Sequence, residues 1–140
     1  MVELRDIIKK QCLEGESEMN ITIDQQGNSK VAIIESDHIV INNAQDALDL
    51  MASVRYTDDA DKLIINKLNI TEEFFELKTK LAGEILQKYV NYHVKLAIVG
   101  DFDGHNSKSL RDFIYECNNG KHVFFLKNKE EALQKLHNIS

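Results

Sequence analysis

The sequence predicts an α/β fold built on a mixed, mostly parallel sheet with an N-terminal hairpin and alternating helices. Two observations carry that prediction. Residues 94–100 (VKLAIVG) and 122–126 (HVFFL) are short and almost continuously apolar, as strands covered on both faces are. Around them the apolar period lengthens to that of a helix, and strands separated by helical stretches are the rhythm of parallel βαβ units. The 140 residues, 43% hydrophobic, suit one domain that buries roughly two thirds of its unfolded surface.

Taken in order, Val2, Leu4, Ile7, Ile8 and Cys12 recur at helical spacing before Gly15, which predicts an amphipathic helix. Residues 1–18 are therefore read as a helical extension and residues 19–140 as the α/β domain. Residues 19–24 and 30–36 alternate or run apolar around Gln26-Gly27-Asn28, a hairpin signal. Asn43, with Asp46 three residues on, caps a helix whose buried stripe is Ala44, Ala47, Leu48, Met51 and Val54. The acidic stretch 57–61 leads into a strand over 62–68. A long helix is predicted from Asn69 or Thr71 to about Tyr92, followed by the central strand 94–100. Ser107 or Ser109 opens the next helix, with Leu110, Phe113, Ile114 and Cys117 on one face and Gly120 at its end. After strand 122–126, Asn128 and Glu131 form a capping box for a last helix carrying Ala132, Leu133 and Leu136.

Composition narrows the function classes. The 17 basic and 23 acidic side chains give a net charge of −6, and the basic ones are scattered, so no nucleic-acid partner is expected. The apolar runs fall far short of the ~20 residues a membrane span needs, and the charge-interrupted N-terminus does not read as a secretory signal. A cytoplasmic protein without membrane contact is the expectation. Cys12 and Cys117 have no CxxC spacing, Cys117 reads as a core residue, and no cofactor is expected. No Ser-His-Asp order, nucleophile elbow or HExxH pattern is visible among the dispersed histidines.

Chemistry, if present, is expected where open α/β sheets hold ligands, at the carboxyl edge of the central strand. The loop there runs Gly100-Asp101-Phe102-Asp103-Gly104-His105-Asn106-Ser107-Lys108-Ser109. Its serines, Lys108 and the free amides of a helix start could hold a small anion. It lacks the Walker pattern. Asp101, Asp103 and His105 break the calcium-loop register, so no metal is expected. On a continuous helix at about 100° per residue, Lys78 points into the stripe made by Phe74, Leu81, Ile85 and Tyr89. That predicts a lysine more than half buried, with Asp101 as its natural partner. His93 and His122 begin neighbouring strands and are expected at the opposite, amino edge.

The runs ALDLMASVRY, FFELKTKLAGEILQKYVNY, KLAIVGDF and SKSLRDFIYECNNG resemble a bacterial domain-of-unknown-function family, number 4180, from Met19 to the C-terminus. That resemblance implies no activity. The element order resembles, more distantly, the STAS domains of bacterial anti-sigma factor antagonists, which implies partner switching through phosphorylation at the start of the helix after the third strand. Only Thr71 matches that position; the neighbouring Asp-Ser-Ser-Gly type of sequence is missing, and Glu72 and Glu73 already supply negative charge.

The expected function is a noncatalytic regulatory or interaction module with a protein partner or a second copy of itself. Its candidate surface is Thr71, Lys78, Asp101, Phe102, Asp103, Ser107 and Lys108. The alternative is a small-molecule or anion-binding enzyme centred on Lys78, Asp101, Asp103 and Ser107. Enclosure discriminates the two: an enzyme buries these groups in a concave pocket, whereas an interaction module presents a flatter surface with apolar groups exposed.

Overall fold

Five strands form one mixed sheet in the order β1-β2-β3-β4-β5 in the computed structural model, which describes residues 19–104 and 107–139. The helix expected over residues 1–18, Cys12 with it, and His105 lie outside the described residues. The strands are β1 (Met19–Gln26), β2 (Ser29–Ser36), β3 (Lys62–Asn66), β4 (Lys95–Val99) and β5 (Val123–Leu126). The helices are α1 (Ala44–Asp58), α2 (Leu81–Asn91), α3 (Lys108–Asn118) and α4 (Lys129–His137). β1 and β2 are the expected hairpin, turning at Gly27 with φ 60°; every later pairing is parallel.

The pleat divides the sheet's side chains between two cores. On one face Ile34, Leu63, Ile65, Leu96, Ile98 and Phe125 pack with the buried stripes of α1, α2 and α3. On the other, Val31, Ile33, Ile64, Ala97, Val99 and Phe124 pack with Ala132 and Leu136 of α4. Both faces of β3, β4 and β5 are thus covered, which is why their sequences run apolar without alternation.

The helix starts follow the sequence. Asn43 Oδ1 accepts from Asp46 N at 2.8 Å, and Asp46 returns the favour by accepting from Asn42 N at 2.9 Å. Ser107, not Ser109, caps α3, accepting from Leu110 N at 3.2 Å. Asn128 Oδ1 accepts from Glu131 N at 2.9 Å. Each satisfies an amide that would otherwise lack a partner at the helix start.

The long helix expected from Asn69 or Thr71 to about Tyr92 forms only in its second half. Three 3-10 turns, Lys67–Asn69, Glu72–Phe75 and Leu77–Thr79, fill the stretch before α2. Thr79 explains the break: its hydroxyl lies 2.7 Å from the Glu73 carbonyl and 2.8 Å from the Glu76 carbonyl, and it accepts from Leu81 N at 3.3 Å. A side chain that takes over local backbone partners in this way competes with the helical ladder. Lys80 then adopts φ 66°, the left-handed region that no α-helix interior contains. α2 therefore restarts at Leu81 and buries Leu81, Ala82, Ile85 and Tyr89.

Candidate functional site at the carboxyl edge of the sheet

The turn after β3 and the loop after β4 meet at the carboxyl edge, and a lysine joins them. Lys67 Nζ donates to the backbone oxygen of Asp101 and lies 5.5 Å from the centroid of the Phe102 ring. Gly100, between β4 and Asp101, has φ 156°, and a Cβ at that position would lie 2.8 Å from Lys67 Cβ. The glycine thus lets the lysine stem cross directly beneath the loop. Asp101 turns its carboxylate back on its own loop, where Oδ1 accepts from Asp103 N at 2.9 Å.

Phe102 is half-buried and anchors the loop on an aromatic group. Its ring centroid is 5.3 Å from that of Phe125, edge to face, and 6.1 Å from that of Phe75; Phe74 and Phe75 meet at 5.0 Å. Such edge and tilted pairs add to simple area burial.

Lys78 corrects the sequence reading. It is exposed, and among the described residues no ion pair links it to Asp101. The helical-wheel angle that aimed it into the core assumed an unbroken helix; three 3-10 turns and the left-handed Lys80 change its register, so Phe74 and Leu81 are buried while Lys78 faces water. The lysine that reaches Asp101 is Lys67, eleven positions earlier and in the first of the three turns. The sequence reading placed it inside a strand over 62–68, whereas β3 ends at Asn66 and Lys67 opens the turn that follows.

Thr71, expected as one start of the long helix, instead precedes the 3-10 turn Glu72–Phe75. Its side chain makes no capping hydrogen bond. Its amide donates to the Ile41 carbonyl at 2.9 Å, extending an isolated parallel bridge between Ile41 and Ile70.

Lys78 and Ser107 do share an open groove of about 730 Å³ with Phe75, Glu76, Leu77, Ser109 and Leu110. Asp101 and Asp103 do not line it. Ser107 is occupied in capping α3, and Lys108 pairs with Asp112 at 2.8 Å on the exposed side of the same helix. Among the described residues no group of three or more His, Cys, Asp or Glu side chains could hold a metal ion.

The edge is closed from the β2 side by Asn69, only 4% exposed. Its Nδ2 donates to the Ser36 carbonyl at 2.9 Å and to the His38 carbonyl at 2.7 Å, and its own carbonyl accepts from Val40 and Ile41. Two apolar side chains flank this staple on the outside: Leu68 is 75% exposed and Ile39 37%. The sequence marks Asn69 only as a loop residue or a start of the long helix, and Leu68 as the end of a strand.

His93 and His122 stand at the opposite edge, as expected, ahead of β4 and β5. Desolvation, with Lys95, His93 and Lys121 nearby, lowers the His122 pKa and favours its neutral form. Among the described residues no helix is long and apolar enough to cross a membrane. A family model described as Domain of unknown function (DUF4180) matches residues 26–136. The search of curated proteins gave no match.

Proposed function

The chain belongs to the DUF4180 domain family, and from that premise we propose that it is a noncatalytic regulatory or interaction module that binds a protein partner, or a second copy of itself, through the carboxyl edge. The observation that carries this reading is exposure. Lys78, Asp101, Asp103, Ser107 and Lys108 are all exposed, where catalytic groups would need a desolvated setting. Leu68 and Ile39 meanwhile present apolar surface beside the Asn69 staple, and large apolar groups held outward on a rigid edge fit a contact surface.

A STAS-like architecture in the cytoplasm is part of the proposal. Three crossover helices packed on one sheet face support it. The partner-switching phosphorylation is not: Thr71 starts a 3-10 turn, and a phosphate there would meet Glu72 and Glu73. The groove beside Lys78 and Ser107 favours, as a second reading, capture of a small anion.

Sedimentation of the purified protein, alone and with partners identified by affinity capture, tests the module. A complex lost in Leu68→Glu and Ile39→Glu, and kept in Tyr56→Glu and Thr71→Glu, is the expected result. A complex insensitive to both edge substitutions overturns it. Binding of inorganic phosphate that is lost in Lys78→Met would move the assignment to the second reading.

A further inference from the structure

The amino edge of the sheet holds an array that the spacing of the histidines does not predict. Asp24 on β1, Ser29 at the start of β2, Lys62 at the start of β3 and His137 at the end of α4 meet there. Asp24 pairs with Val31 and Val31 with Lys62 across the strands; Ser29, two residues before Val31, shares its side of the pleat. Lys62 Nζ donates to Ser29 Oγ at 2.8 Å and to the Ile139 carbonyl at 3.3 Å. His137 Nδ1 lies 2.8 Å from the same Oγ, and its Nε2 lies 2.7 Å from Asp24 Oδ2.

The chemistry of the two ends fixes the direction of the hydrogen bonds. An ammonium only donates and a carboxylate only accepts. Ser29 Oγ accepts from Lys62, so with a neutral imidazole its single hydrogen goes to His137 Nδ1. The ring hydrogen then sits on Nε2 and is donated to Asp24. This is the donor order of a nucleophile, its base and an orienting carboxylate. The two ring nitrogens are exchanged relative to the serine-protease arrangement, which leaves the proton logic unchanged.

The surroundings suit that chemistry. The His137 side chain is 2% exposed, so bulk water does not compete for Nδ1, while Asp24, 39% exposed, keeps its charge hydrated. Lys62 is 7% exposed; desolvation lowers its pKa, opposed by Asp61 and assisted by Lys95. An ammonium short of solvent gains most from negative charge developing at the oxygen it already touches. Ser29 itself is half-buried and follows the exposed hairpin tip at Gly27 and Asn28.

We infer that Ser29 is a covalent acyl-acceptor site, its hydroxyl activated by His137 and oriented through Asp24, that takes an acyl group from an activated carboxylic ester. Oγ adds to the carbonyl carbon as its proton passes to Nδ1. The bond to the leaving alkoxide breaks, the imidazolium returns the proton to it, and a serine ester and a neutral alcohol result. The site lies at the edge opposite the proposed contact surface, and one acylation per chain is a modification, so it stands apart from the interaction reading.

The full chain treated with a biotinylated fluorophosphonate and mapped by peptide mass spectrometry tests the inference. In that reaction an Oγ–P bond forms, the P–F bond breaks, fluoride leaves, and the hydroxyl proton passes through the imidazole to solvent. A single adduct on Ser29 of the folded protein is expected, absent in Ser29→Ala and formed on the order of 100-fold more slowly in Asp24→Asn and His137→Gln. p-Nitrophenyl acetate should give a burst of nitrophenolate of about one equivalent per chain. No Ser29 adduct, an equal rate in urea, or a rate untouched by Asp24→Asn overturns the inference. Circular dichroism accompanies each variant; if His137→Gln does not fold, the isosteric Asp24→Asn decides alone. Neither result alters the sedimentation assay.

Discussion

Lys67 Nζ and the backbone oxygen of Asp101 are hydrogen-bonded across 34 residues, so the loop after β4 is held by the turn after β3. The contact depends on Gly100, whose missing Cβ leaves room for the lysine stem.

Gly100→Ala combines an unfavourable φ with a contact against the Lys67 stem, and should lower stability by about 2–3 kcal/mol. Gly27→Ala, at φ 60° with nothing within 4 Å of its Cβ position, should cost only about 1 kcal/mol. Urea denaturation of the two variants checks the contrast; equal losses would mean that the lysine stem yields freely.

Asn69→Ala leaves the Ser36 and His38 carbonyls without their side-chain donor. A loss of about 2–3 kcal/mol is expected, with faster amide exchange at Val40 and Ile41. A variant as stable as the parent would show that water replaces the staple at no cost.

Lys78→Met and Lys78→Ala should each shift stability by less than about 0.5 kcal/mol, as exposed substitutions do. A loss several times larger in Lys78→Ala, measured by thermal unfolding, would require a buried partner for this lysine.

The sheet and its caps were legible because they rest on local signals. Apolar runs marked β3, β4 and β5; Asn43 and Asn128 marked two helix starts, and Ser107 or Ser109 a third. Lys78 was misplaced because a helical wheel carries no information about where the helix is interrupted, and the interruption depends on one threonine hydroxyl reaching two carbonyls. Asn69 and Lys67 act on backbone oxygens of other segments, so neither shows any periodicity. Asp24, Ser29 and His137 come together only when α4 packs on the second face, 108 residues after Ser29, which no motif spacing captures.

Burial raises two pKa values on the first face. The Tyr89 phenol, 0% exposed and donating to the Ala47 carbonyl at 2.9 Å, is pushed upward by desolvation. Desolvation, with a smaller part from Glu116, pushes the Cys117 thiol from 9.0 up to about 11. Both groups are neutral in the folded state and ionise first in the unfolded one, so their contribution is full below the unfolded pKa values and is lost as pH rises, through about 9–11 for Cys117 and above about 10 for Tyr89. Lys62 works in the opposite direction, so the comparison must be paired: urea midpoints at about pH 8 and about pH 10.5 should fall less in Tyr89→Phe than in the parent. An identical fall in both would remove Tyr89 from the alkaline response. In a Cys12→Ser background, Cys117 should react with a thiol reagent slowly when folded and quickly in urea.

The order β1-β2-β3-β4-β5 means that each strand bonds to the one translated immediately before it. A ribosome delivering this chain can add the sheet one strand at a time, starting from the hairpin, and never has to open a formed ladder to insert a latecomer. Each crossover helix becomes available just as the strand it covers is extended. α4 follows all five strands in the chain and lies across β2, β3, β4 and β5 together, so the second face stays wet until that helix has been made.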